Sequence, residues 1–498
     1  MNSNTACSGM GHSMNTLDRY NNDGPIYQAV LGLMGRRGVS VDANRIAELA
    51  NSFQASINTH EREVMAASGK MVNLNSTSDI RDLFYERRGG EWVDRMDGQA
   101  PIKMTDGGTT DKMPSVDESV LEHFERMGSP IAKNLLQYRF YTKLYGTYIK
   151  RLPEYMDGNS RVHPSLSQMA RTGRLTCRDP NLQNQPARSD QGKLVRQLFR
   201  AGKWGDVPDY LCLDEVYGVP FVHNFRPDQP MRLIVADYDQ VELKLTAHIS
   251  RDPTMLDVIL KGRDLHCVTA ANNARIRGLP YTYDDFYRAK KAKDPTEEEK
   301  KLVSMRSAGK SVSFGIVYGI GPVGLGAQLD LPVVKKQMRN GRIIAECPDG
   351  QELIDNFFAL YPGVRAAIEA SKEFGREHGY VTTITGRRRR LPDLSSSTRF
   401  IAEKAGRQAF NTEVQGSAAD VAQAVMIAIE LDPELRALGV RQLLQVHDEL
   451  IFEVPDIPEI VERAKARIKY RMENPFVQPL LVPLTTSGDD AYTWGDAK

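Results

Sequence analysis

The apolar positions along the 498 residues change period several times, and each change marks an element. Ile26, Val30, Leu33 and Met34 recur at helical spacing. After the turn Arg37-Gly38-Val39-Ser40-Val41-Asp42, a second helical run passes through Ile46, Leu49 and Phe53. Residues 73–76 break the pattern, 97–112 is polar and Gly-rich and predicts a loop, and helical periodicity returns from Val116 to Ile149. The Pro and Gly density between Arg171 and Pro186 forbids a long helix and predicts another loop. Leu233-Ile234-Val235-Ala236 is an unbroken apolar run of strand length that delivers Asp237 at its end. Farther on, two β-rich apolar runs flank His447-Asp448, the pattern of a tight hairpin with an acid at its tip. An acid at a strand end also serves as a plain turn or helix cap, so Asp237 alone does not define a site.

Arg306, Lys310, Phe314 and Tyr318 follow one another at i+4 and share one face of a predicted helix. Two cations and two rings on one face suit a ligand carrying both phosphates and a base, though a half-buried helix with satisfied cations is also consistent. Gly309, Gly315 and Gly319 each disfavour a helix interior by about 1 kcal/mol, which points to close approach or bending at those positions. Residues 284–301 read as a charged, solvated segment, and Gly386-Arg387-Arg388-Arg389-Arg390 as a basic turn that solvent alone can satisfy. Arg407, Asn411 and Gln415 form a polar stripe on an otherwise apolar helix.

Composition narrows the class. Apolar content of 41% and charged content of 26% are those of a soluble globular protein, and no apolar run approaches the roughly 20 residues that cross a membrane. The five cysteines are scattered without a CxxC pair, which argues against a zinc module or disulfide framework and for a reducing, cytoplasmic setting. The polar first residues have neither the basic nor the apolar region of a signal peptide. Net charge is only +1, yet Lys133 to Lys203 holds fourteen Lys or Arg against four acids. Charge so segregated is an electrostatic footprint for phosphates. Within it Tyr138, Tyr141, Tyr145 and Tyr148 alternate with cations, and packing of the rings inward is the simpler reading of that set.

Taken together, these motifs resemble the polymerase region of family A DNA polymerases, from about residue 20 onward. The resemblance rests on seven short segments in the family's order. They are Thr172–Leu175 with Pro180–Asn184, Asp237-Tyr238-Asp239-Gln240-Val241-Glu242, Arg306–Gly319, Tyr361–Arg365, Gly386–Arg389, Val414–Asp420 and His447-Asp448-Glu449. It implies an α+β fold of right-hand architecture, with an antiparallel-sheet palm, helical fingers and a helical thumb. The implied division is thumb 21–160, palm 161–242, fingers returning to palm at 243–420, and the rest of the palm at 421–498; the polar composition of 1–20 predicts a disordered tail, and 203–230 reads as an inserted loop longer than the family usually has.

The same resemblance implies template-directed transfer of dNTPs to a primer 3′-hydroxyl with two Mg²⁺ ions, for which Mn²⁺ can substitute. It implies Asp237 and Asp448, with Tyr238, as metal ligands, and Arg306, Lys310 and His266 on the triphosphate. Lys310 is thereby counted as catalytic. Phe314 and Tyr318 are implied to stack near the base, and Glu242 to crowd a 2′-hydroxyl. Arg174, Asn181, Asn184, Arg188, Arg407, Asn411, Gln415 and His447 are implied to contact primer–template DNA. Replication proteins such as a helicase, a primase and a single-strand-binding protein are the expected partners of a monomer. The short stretch before the thumb leads to the expectation of no 3′–5′ proofreading or 5′ nuclease domain, and the compact organisation suggests a phage or mobile element. Ser307, Gly309, Ser313 and Asp239 depart from the family pattern without touching an expected metal ligand. A single-subunit RNA polymerase shares the two aspartates, but Glu242 and the His447-Asp448-Glu449 triplet favour the DNA enzyme. A non-catalytic accessory protein would require broken ligands.

Overall fold

The computed structural model describes residues 16–105, 112–186, 189–208, 223–337 and 343–497. Helix α1 spans Thr16–Arg37, so it starts inside the stretch expected to be a tail; residues 1–15 lie outside the described residues. Its first turns carry no apolar periodicity, which is why the pattern does not announce them. Helix α2 (Ala43–Ser68) begins where the Asp42 side chain accepts from Arg45 N, and ends where Gly69 takes φ 69°. The later elements that bear on the site include α3 (Pro130–Leu144), β1 (Met231–Tyr238), α4 (Val241–Ser250), α5 (Leu265–Ile276), α6 (Tyr283–Lys291) and α7 (Glu297–Val317). The order closes with α8 (Pro348–Leu360), α9 (Pro362–His378), α10 (Arg399–Glu430), β2 (Arg441–Val446), β3 (Glu449–Pro455), α11 (Pro458–Glu473) and β4 (Thr486–Ala491).

The sheet has the order β2-β3-β1-β4, antiparallel at every junction. Strand β1 is paired on both edges and covered on both faces. Ile234 and Ala236 face the core shared with α10 and α11, through Val421, Val425 and Ile468. Leu233 and Val235 face a second core with Val41, Phe199 and Trp494. Burial of both faces explains why this strand reads as a continuous apolar run and not as an alternation.

A third core, from Ile57 to Tyr138, belongs to the α2–α3 unit, where a helical thumb is expected. Helix α1 packs apart from that unit, in the core shared by β1, α10 and α11. Tyr27, Val30, Leu33 and Met34 pack in the palm core with α10, and Arg37 in its last turn pairs with Glu430 in α10 at 2.5 Å. The tyrosines of the basic stretch turn inward as read: Tyr138 is buried and Tyr141, Tyr145 and Tyr148 pack against the second core.

Helices α5, α6 and α7 share a small core of Cys267, Ala270, Phe286, Ala289 and Leu302. The stretch 284–301 is therefore no merely solvated segment; two of its apolar residues are enough to seat α6. Helix α7 opens with a reciprocal cap between Thr296 and Glu299 and three glutamates in its first turn, where the helix dipole favours acids. A Cβ on Gly309 would stand 3.2 Å from the His266 carbonyl, so that glycine lets α7 lie against the backbone of α5. The ends of the 203–230 segment are tied by Trp204 N to Gln229 O at 2.9 Å, with Trp204 stacked under Arg441 at 3.7 Å; its residues 209–222 lie outside the described residues. Among the described residues no helix is long and apolar enough to cross a membrane.

Candidate active site

Sheet register brings the two aspartates together. The β2–β3 hairpin pairs Val446 with Glu449, which leaves His447, at φ 54°, and Asp448 as a two-residue turn. Across the next junction Glu449 lies opposite Asp237, and Tyr238 N donates to the Asp448 carbonyl at 3.1 Å. Asp237 and Asp448 thus share one end of the sheet although most of the fingers lies between them in the chain. Burial, then the carboxylates of Glu242 and Asp237, pushes the Asp448 carboxyl up to about 6, with Arg174 opposing. An all-oxygen site with this excess of negative charge is suited to a hard divalent cation. Tyr238 contributes differently from its neighbours: its phenol donates to Met472 O at 2.7 Å inside the core, so only its main-chain carbonyl is left for a metal. Asp239 accepts from Thr485 Oγ1 at 2.9 Å and Ser487 Oγ at 3.1 Å, fastening β4 and accounting for that departure from the family pattern.

Helix α7 carries the expected face, and its C-terminal end meets this region through Tyr318 and Glu242. Arg306 donates to Asp264 Oδ2 at 2.6 Å and to Cys267 Sγ at 3.3 Å. Lys310 is exposed, its Nζ 5.9 Å from the Phe314 ring centroid. Phe314 stacks with Tyr318 at 6.2 Å and meets His266 at 5.5 Å. His266 is 2% exposed, and its Nδ1 has no hydrogen-bond partner among the described residues. Burial lowers its pKa to about 4; Asp264 opposes, while Arg306, Lys310 and Lys290 add to the depression. Glu242 is buried, accepting from Arg174 on one oxygen and from the Tyr318 hydroxyl at 2.5 Å on the other.

Arg174 sits in the loop predicted between 171 and 186, and the basic turn holds that loop in place. Arg387 donates to Thr172 O at 2.8 Å, Gly416 O at 3.0 Å and Asp420 Oδ1 at 2.8 Å. Gly173, at φ +80°, passes so close that a Cβ there would meet the guanidinium at 2.5 Å. Solvent alone therefore does not satisfy this turn. Asn181 accepts from Gln183 N at 3.1 Å, and Gln183 Nε2 reaches the Gln445 carbonyl at 3.0 Å, joining the loop to β2. Asn184 is exposed, its carbonyl accepting from the Tyr148 hydroxyl at 2.7 Å. Arg188 lies outside the described residues. On α10, Arg407 is exposed beside Gly319, the buried Asn411 Oδ1 has no partner among the described residues, and Gln415 is half-buried. His447 is exposed at the hairpin tip.

One residue of the site went unnoticed in the sequence. Arg196 is buried, 3.7 Å from Glu449 Oε2 and 4.4 Å over Trp494, and its charge interacts with Asp237. Nothing local separates it from the other thirteen cations of its basic stretch; only the fold turns it under the carboxylates.

An antiparallel sheet with two aspartates at one end, faced by a helix of cations and rings, defines the right-hand nucleic-acid polymerases. Within that class the chain belongs to DNA polymerase family A, which it matches over residues 43–496. It is 34% identical over 94% of its length to the thermostable DNA polymerase I of Thermus filiformis, and 33% identical over 94% to that of Thermus aquaticus. It covers 47% of each, and so spans about half the length of these relatives. Among solved structures, the polymerase domain of Pol1 from M. smegmatis, in complex with DNA primer-template and dNTP, aligns with a TM-score of 0.75 at 28% identity. That match covers 97% of this chain and 72% of the other.

Proposed function

We propose that the protein is a template-directed DNA polymerase that adds dNTPs to a primer 3′-hydroxyl by two-metal nucleotidyl transfer. The observation that supports this reading is the register of β1 against β3, which brings Asp237 and the Asp448 turn to one end of the sheet, to which the end of α7 is tied through Tyr318 and Glu242. Asp237, Asp448 and the Tyr238 carbonyl are the residues that would hold Mg²⁺, or Mn²⁺ in its place. Among the described residues no three His, Cys, Asp or Glu side chains gather into a metal cage, which suits ions that take their remaining ligands from substrate phosphates and water. When bound, such ions favour the alkoxide of the primer hydroxyl and offset charge at the phosphates.

The chain's own residues do the positioning. Arg306, Lys310 and His266 bind the triphosphate, and Lys310 stabilises charge on the departing pyrophosphate as the primer oxygen bonds to the α-phosphorus. Phe314 packs on the incoming sugar and base, with Tyr318 beside the template position. Glu242, held by Arg174 and Tyr318, fills the space that a ribose 2′-hydroxyl would need. Arg174, Asn181, Asn184, Arg407, Asn411, Gln415 and His447 lie on the loop, helix and hairpin around this cleft and contact primer–template. We further propose that the protein works as a monomer, and that the 203–230 segment meets a replication partner or the duplex.

Primer extension with Mg²⁺ tests the reading. Wild type extends with dNTPs in preference to rNTPs, and Asp448→Ala falls by at least about 10²–10³-fold. Equal extension by both proteins would sink the mechanism, and preference for rNTPs would assign the chain to RNA synthesis.

A further inference from the structure

Asp264 is a shared partner in the fingers. As N-cap of α5, its Oδ1 accepts from His266 N at 2.9 Å and Cys267 N at 3.1 Å. Its Oδ2 takes two cations at once, Arg306 at 2.6 Å and Lys290 Nζ at 2.7 Å. The carboxylate side chain is 5% exposed, against 15% for Arg306 and 37% for Lys290. Burial pushes the Asp264 carboxyl up, but hydrogen bonds from Lys290 and Arg306 overcome this and hold it well below the usual carboxylate range.

The arrangement matters because Arg306 is the cation that the proposed function sends to the triphosphate. An isolated Asp264–Arg306 pair would be neutral, and turning the guanidinium away would strand a buried carboxylate, which is strongly unfavourable. Lys290 changes that balance. It leaves the trio with one net positive charge, and it keeps Asp264 paired while Arg306 turns. The buried His266 Nδ1, without a partner among the described residues, lies in the same cluster and marks hydrogen-bonding capacity that the protein itself leaves unused.

We propose that Lys290, reaching in from α6, is a positioning residue of the nucleotide site: it neutralises Asp264 so that Arg306 can transfer from that carboxylate to an incoming triphosphate. This rests on the polymerase reading and adds to it a residue from a segment whose sequence looks merely charged. Lys290 touches Asp264 and acts on the nucleotide only through Arg306.

The test is dNTP affinity on primer–template, read as KM in single-nucleotide insertion and as Kd with a dideoxy-terminated primer that blocks chemistry. Lys290→Met keeps the apolar stem and removes the charge; KM and Kd rise about tenfold while kcat changes little. Lys290→Arg restores both. Asp264→Asn in the Lys290→Met background also restores them, because the amide oxygen still caps α5 while the hold on Arg306 is released. Unchanged KM and Kd in Lys290→Met overturn the proposal, as does a loss confined to kcat and thermal stability that Asp264→Asn fails to rescue. Wild type that does not extend a primer at all overturns the polymerase reading; active wild type with an indifferent Lys290→Met overturns only this inference.

Discussion

In the sheet, Asp237 and Asp448 take their places from main-chain hydrogen bonds: the Glu449–Asp237 register and the bond from Tyr238 N to Asp448 O. On α7 and at its C-cap, Arg306 and Tyr318 are placed by side-chain partners, Asp264 and Glu242, and Lys310 stands exposed. The two halves of the site are therefore held by interactions of different exchangeability. A ladder bond between strands has no alternative partner short of unfolding the edge. An ion pair can be traded for a phosphate whenever one arrives, since both are charge-assisted contacts of similar strength. The sheet presents carboxylates fixed by the main chain, whereas Arg306 rests on an acid through a side-chain pair that the proposed function would exchange for a phosphate.

This contrast can be broken experimentally. The largest effect beyond loss of Asp448 is expected at Arg306: Arg306→Ala raises the KM for dNTP by about 10- to 100-fold with a small change in thermal stability, because Lys290 remains on Asp264. An unchanged KM, or a protein that melts far below wild type, would show that Arg306 is structural and not exchangeable. Glu242→Ala comes next. It removes the acceptor shared by Arg174 and Tyr318 and is expected to lower the preference for dCTP over CTP about tenfold, measured as a ratio of kcat/KM values; an unaltered ratio would remove Glu242 from sugar selection.

The smallest effect probes the palm. With its pKa raised to about 6, Asp448 favours the folded state while protonated, and that contribution is lost as pH rises from the usual carboxylate range through 6. Asp448→Asn is therefore expected to melt roughly 2–4 °C higher than wild type in metal-free buffer near pH 8. The difference closes below about pH 4, where the unfolded carboxyl is protonated as well. Calorimetry across pH checks this. A flat difference would mean that Asp448 bears no uncompensated charge, and the comparison between fixed palm charges and exchangeable fingers charges would lose its electrostatic half.

Legibility in the sequence followed the range of the interactions. Strand β1, the hairpin around Asp448 and the i+4 face of α7 were readable because each depends on neighbours a few residues away. Arg387, Arg196 and Lys290 were not. A tetra-arginine turn looks solvated until Thr172, Gly416 and Asp420 are brought around it. Lys290 looks like one more cation in a charged segment until Phe286 and Ala289 seat its helix against α5 and α7. Helix α1 precedes the α2–α3 unit in the chain, whereas its apolar face packs with α10 and β1, far away in sequence.

By itself, the sequence determined the family, strand β1, the hairpin around Asp448, and the face of α7 on which the proposed chemistry rests. Periodicity and turn chemistry are local, so they survive in a one-dimensional string. Only the tertiary structure decided which acid each cation rests on, which arginines are clamps and which are exposed, and that Glu242 sits between Arg174 and Tyr318. Those choices depend on burial and on charge pairing between elements tens to hundreds of residues apart, and side chains of one type differ there only by where the fold leaves them.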